Sequence, residues 1–219
     1  VDSHGPATLQ QVADLAQVSL ATASRALNGS TRKVNPELAE RVRDAARELS
    51  YTVNASAQAM VRGRTTVVGL VLHDIADPYF SSIASGVVAA ADELGLLVSL
   101  TSTGRSLTRE LDHITMFKGQ RAQALILAGS RPDDPQEWAR LNERIEAFEA
   151  GGGRVVLIGQ PVLNCDTVVV GNRGGGRELA EAMIELGHEK FAILAGPEHL
   201  MTVVDRTNGF AKALRQAHL

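Results

Sequence analysis

The sequence predicts an α/β protein: a small all-helical head followed by a larger body built on a doubly wound parallel sheet. Three observations carry this reading. Through the first sixty residues the apolar positions recur only at helical spacing. From Val67 onward, short aliphatic runs alternate with amphipathic stretches. Those runs are apolar almost continuously, as in strands covered on both faces.

In the head, Thr8-x-x-Gln11 is a capping-box signature, and Leu9, Val12, Ala13 and Ala16 follow at helical spacing. A break falls at Gln17-Val18, and Ser19 is the next candidate N-cap. Ala23, Ala26 and Leu27 form a second short stripe that ends at Asn28-Gly29-Ser30. Asn35-Pro36-Glu37 opens a third helix, with Leu38, Val42, Ala45, Ala46 and Leu49 on its apolar side. Arg41, Arg43 and Arg47 alternate there with Glu40, Asp44 and Glu48, the mixture of a solvated face.

In the body, strands are expected at 67–72, 98–101, 124–128, 155–158, 168–170 and 191–194. Helices are expected at 82–94, 108–118, 136–149 and 176–186. Glycine runs at 151–153 and 174–176 read as a loop and as a helix start. With five Phe, two Tyr and one Trp, the core must be built from Ala, Val, Leu and Ile.

Charge divides the chain unevenly. Residues 1–64 hold eight basic and six acidic side chains, residues 65–219 fourteen and nineteen. A mildly basic head on an acidic body fits a head that meets a polyanion. No apolar run is long enough to span a bilayer, so no membrane partner is expected. Residues 1–6 carry no secretion signal, and the single cysteine, Cys165, suits a reducing compartment. A cytoplasmic location is expected.

The head's first two helices fit a helix-turn-helix. Ala13 is small where the helices cross, Val12, Ala16, Val18, Ala23 and Ala26 occupy the contacts, and Gln17 sits in the turn. The same spacing also fits a plain helical hairpin. As a DNA reader, the second helix would begin with Ser19 and Thr22 at phosphates. Leu20, Ala21 and Arg25 would face the floor of a major groove. Arg25 could donate two bonds to guanine O6 and N7, worth about 1–3 kcal/mol of discrimination.

The run 7–13, then Val18-Ser19, Thr22, Ser24-Arg25 and Leu27-Asn28-Gly29, resembles the amino-terminal signature of the lactose/galactose repressor (LacI/GalR) family. The resemblance continues through Glu40-Arg41-Val42, Tyr51, Asn54-Ala55, Arg62-Gly63-Arg64-Thr65 and Asp77-Pro78-Tyr79-Phe80. It runs on to Glu185-Leu186-Gly187-His188, Gly196-Pro197, Arg206 and Gly209-Phe210. It implies a periplasmic-binding-protein-like body with a C-terminally incomplete second lobe. The implied domains are a helix-turn-helix head at 7–52, a hinge helix and linker at 53–64, a first lobe at 65–172 and the start of a second lobe at 173–219.

The implied function is that of a sequence-specific transcriptional regulator, a ligand-responsive repressor bound as a homodimer to a near-palindromic operator. A small-molecule binding protein without a DNA role is the alternative. The implied DNA contacts are Thr8, Ser19, Leu20, Ala21, Thr22, Ser24, Arg25 and Asn28 in the head, and Asn54, Ala57 and Met60 in the hinge. Met60 would wedge a base step open from the minor groove. Departures from the family pattern are Gln17 in the turn, the small Ala23, a longer loop with Arg32 and Lys33, Val53 for proline and Gln58 for arginine.

The implied effector is a sugar, sugar derivative or nucleoside-like molecule. Asp77 would accept hydroxyl bonds, Tyr79 and Phe80 would stack on a ring, and Gln160, Thr202 and Arg206 would complete the site. Gly159 and Gly171 stand where many relatives carry acids. Catalysis finds no support: there is no G-x-S-x-G, no H-E-x-x-H, and a G-x-G-x-x-G loop starting at Gly174 fails at Leu179. The six histidines are scattered, so neither metal nor cofactor is expected.

Overall fold

The computed structural model describes residues 7–28, 34–52 and 63–219. The chain divides into two compact units, Val1–Arg62 and Gly63–Leu219. The expected hinge contacts Asn54, Ala57 and Met60, and the loop cations Arg32 and Lys33, lie outside the described residues. No helix among the described residues is long and apolar enough to cross a membrane.

In the first unit, α1 (Leu9–Leu15), α2 (Leu20–Asn28) and α3 (Pro36–Glu48) enclose a small core. Thr8 and Gln11 form the full capping box: the Gln11 N–H donates to Thr8 Oγ1 at 3.3 Å, and the Thr8 N–H to Gln11 Oε1 at 2.8 Å. Gln17 adopts φ 51, the left-handed turn geometry that costs a non-glycine residue about 1 kcal/mol. Val12, Ala13, Ala16, Ala23, Val42, Ala45 and Ala46 are buried together, with Leu27 and Tyr51 at the margin. Because most of those residues are alanines, the helices approach closely over few apolar atoms. Arg41 adds a tie by donating to the Ala16 carbonyl at 2.6 Å.

The second unit runs β1 (Val67–Leu72), α4 (Pro78–Glu93), β2 (Leu97–Ser102), α5 (Leu107–Gly119), β3 (Ala124–Ala128), α6 (Pro135–Ala150), β4 (Arg154–Gly159), β5 (Asp166–Val169), α7 (Asn172–Glu185) and α8 (Met201–Gln216). All neighbouring strands are parallel, in the order β2-β1-β3-β4-β5. Alternate strand residues face opposite helical layers. Val71, Leu125, Leu127, Val155 and Leu157 pack under Leu111, Ile114 and Phe117 of α5 and Leu141, Ile145 and Phe148 of α6. Leu70, Leu72 and Ala128 pack under Phe80 and Ala84 of α4. Gly69 admits the α5 aromatic, since a Cβ there would lie 2.8 Å from the Phe117 ring.

The structure corrects one element. The apolar run at 191–194 forms no strand, and Leu194 is fully exposed. A parallel strand needs a neighbour for its N–H and C=O groups, and no described strand lies beside this run. Only the flanking helices are closely joined: a Cβ on Gly176 would sit 2.4 Å from the Arg206 carbonyl oxygen, and one on Gly209 2.0 Å from that of Arg173. Of the 174–176 glycines, Gly176 therefore serves helix packing.

Candidate nucleic-acid interface and ligand cleft

In the head, α2 presents its first turn outward. Leu20, Ala21 and Arg25 are exposed, with Ala21 and Arg25 one turn apart, while Ala23 on the opposite side is buried. Ser19 Oγ accepts the Thr22 N–H at 3.1 Å and lies 2.8 Å from Thr22 Oγ1. Whichever hydroxyl donates in that pair, the proton of the other remains for an outside oxygen. Thr22 and Ser24 are half-buried, and Asn28 ends the helix. Thr8, by contrast, is occupied by its capping box, with Oγ1 also donating to Gln11 Oε1 at 3.1 Å.

In the body, the sheet reverses direction of winding between β1 and β3, and a cleft is expected beyond the strand carboxyl ends there. Asp77 is the N-cap of α4 and its Oδ1 accepts the Tyr79 N–H at 2.9 Å. Tyr79 is exposed and meets Phe80 edge-on at 5.1 Å. Phe80 requires a correction: it is 5% exposed among Leu70, Leu72 and Ala84, so its ring is core and offers no face to a ligand. The α4 helix starts at Pro78, and its helical turn carries Phe80 back over the sheet.

Gln160, Thr202 and Arg206 lie on the other side. Gln160 is buried, accepts the Arg131 N–H at 3.0 Å and donates Nε2–H to Thr202 Oγ1 at 2.7 Å. The segment 199–202 is docked onto the loop after β3: the Met201 N–H donates to the Arg131 carbonyl at 3.0 Å and the Thr202 N–H to Ser130 Oγ at 3.2 Å. Arg206 is exposed, donates from Nε to Asn172 Oδ1 at 2.8 Å, and lines a groove of about 740 Å³ between α7, α8 and residues 190–196. Its lining is apolar apart from Asn172, Lys190, Arg206 and Thr207. Of the six expected effector residues, Arg206 alone lines this groove, and Gln160 and Thr202 are bonded to each other.

Residues 8–54 match bacterial regulatory proteins of the lacI family, and residues 65–219 match periplasmic binding proteins and the sugar binding domain of the LacI family. The chain belongs to the LacI family. It is 35% identical to the transcriptional regulator CelR of Thermobifida fusca, over 96% of its own length and 62% of CelR. It is 30% identical to the repressor CytR of Escherichia coli K12, over 96% of its length and 60% of that relative. Among solved structures, the lac repressor dimer bound to operator and an anti-inducer has the same fold, with a TM-score of 0.80 at 24% identity over 98% of this chain and 63% of that one. A CelR–cellobiose complex matches at 31% identity with a TM-score of 0.55, over 97% and 62%.

This LacI-family chain also holds polar residues that its sequence did not single out. Glu110 and Arg131 form a bidentate pair at 2.6 and 2.7 Å, both almost fully buried at the strand carboxyl ends. The sequence carried a signal: Glu110 falls on the same stripe as Ile114 and Phe117, where a carboxylate needs a buried partner. Beside them His73 caps β1 over Gly129, where a Cβ would meet the ring at 2.3 Å. Burial, reinforced by the Arg131 charge, lowers the His73 pKa to about 4, so this imidazole is neutral at pH 7. Cys165 is half-buried, and burial raises its thiol pKa, which keeps it protonated and unreactive.

Proposed function

We propose that this protein is a sequence-specific DNA-binding transcriptional regulator, a ligand-responsive repressor that binds a near-palindromic operator as a homodimer. The observation that carries the reading is the outward face of α2, where Leu20, Ala21 and Arg25 stand clear of the head's core in a LacI-family chain. Each α2 enters a major groove, with Ser19, Thr22 and Ser24 toward the phosphates and Arg25 donating to a guanine edge. The segment at 53–64 acts as hinge, with Asn54 capping it, Ala57 packing closely and Met60 entering the minor groove. Head, hinge, first lobe and the start of a second lobe follow one another along the chain, in a cytoplasmic protein with no catalytic step.

The body binds a small effector, a sugar, sugar derivative or nucleoside-like molecule. CelR, a relative sharing 31% identity in its solved structure, is seen with cellobiose, which supports the sugar class. Asp77, Tyr79, Gln160, Thr202 and Arg206 are the residues left to meet it, since Phe80 is core. Ligand binding favours one of two body conformations and so changes DNA affinity through linkage. The test is a gel-shift series over single-base variants of a selected operator. Arg25→Ala is expected to lose about 10- to 100-fold of discrimination at one base pair and to keep salt-sensitive general binding. Unchanged discrimination would remove Arg25 from base reading.

A further inference from the structure

Away from the cleft, at the end of the body where the strands begin, lies a small concavity lined by Gly63, Arg64, Lys118, Arg121, Ala122, Phe148 and the glycines 151–153. Its floor is apolar, with Phe148 and Ala122 buried. Its rim carries three exposed cations from three separate segments: the start of the body, the last turn of α5 and the turn before β3. Arg154, exposed, begins β4 directly after the glycines. No carboxylate lines the concavity, and none of these four cations forms an ion pair among the described residues.

Lys118 has a local reason to be there, because a cation in the last helical turn is favoured by the helix dipole. Arg64 and Arg121 have none. Arg121 holds φ 54, a conformation better suited to glycine; its N–H donates to the Lys118 carbonyl at 3.0 Å and its carbonyl accepts from the Thr65 N–H at 2.9 Å and Thr65 Oγ1 at 3.0 Å, while its exposed side chain makes no ion pair among the described residues.

Gly63 is where the body meets the linker at 53–62, which contains no Asp or Glu and ends in Arg62, so the linker cannot neutralise the cluster. Ten residues span at most about 36 Å. With the head on DNA, Gly63 is tethered within that reach of the head, beside a polymer bearing one charge per about 1.7 Å of axis. An acidic body would otherwise be repelled there.

We infer that Arg64, Lys118 and Arg121 form a second DNA-contacting surface on the body, one that takes phosphodiester oxygens and reads no sequence. The inference rests on the DNA-binding role proposed above. It is tested with the full chain carrying R64Q, K118Q and R121Q together, by following operator affinity against salt. The slope of log K on log salt is expected to shrink by about two to three for each bound protomer, at roughly 0.9 for each phosphate no longer neutralised, with the preferred sequence unchanged. Arg64→Lys with Arg121→Lys should restore the slope.

An unaltered slope in the triple glutamine variant, beside wild-type protein that still selects its operator, would overturn this surface and leave the proposed function standing. Wild-type protein that selects no DNA would overturn both. Inorganic phosphate raising the melting temperature of the wild type alone, with slopes equal, would make the cluster a small-anion site and overturn the inference as well.

Discussion

Single side chains decide both the stability of the body and the chemistry of its ends. Glu110 and Arg131 are each other's compensation in a buried setting, so removing one leaves the other charged and unpaired. Glu110→Leu is expected to destabilise the body by about 3–5 kcal/mol, read from urea unfolding; adding Arg131→Met should recover much of that loss. His73 adds a pH dependence of definite sign. Between pH 4 and 6.5 the unfolded chain binds a proton that the folded chain refuses, so stability is full above 6.5 and falls as pH drops toward 4. From pH 7 to 5 the wild type is expected to lose about 2 kcal/mol more unfolding free energy than His73→Gln; equal losses would show that His73 is not held neutral. At this scale the sequence was legible where causes are local. Thr8 with Gln11, and Gln17 in its turn, need only their neighbours. Phe80 and the Glu110–Arg131 pair were less so, because which way a ring or a charge turns depends on strands far along the chain.

Helices and strands were legible wherever the apolar period was clean. The runs at 67–72 and 124–128 match β1 and β3 to the residue, and the glycine after the third strand explains how His73 fits. The run at 191–194 has the same composition and makes no strand, since pairing needs a partner edge that composition does not encode. Glycines 174–176 likewise look like a phosphate loop in one dimension, and Gly176 turns out to admit α8 against α7. Gly209→Ala would press its methyl into the Arg173 carbonyl, so the two helices must move apart. A cost of about 1–3 kcal/mol is expected in urea unfolding. An unaffected variant would mean that the crossing is looser than its geometry states. The same crossing positions Arg206, and Arg206→Ala is expected to abolish the effector's influence on operator binding while leaving operator affinity itself intact.

At the scale of the whole molecule, family membership covers head and body together, while the chain spans 62% of CelR and 60% of CytR. The proposed regulator joins a reading helix, a linker and a body that binds an effector. The proposed coupling was legible only through resemblance, because residues 53–64 taken alone carry no signal of what the body binds. The claim on which the rest depends is that α2 reads base pairs. Selection of duplexes from a randomised oligonucleotide pool by the purified chain tests it most directly. Enrichment of a near-palindromic site is expected, with a position whose preference disappears in Arg25→Ala. Recovery of duplexes with no shared sequence, by protein that is folded and dimeric, would contradict it.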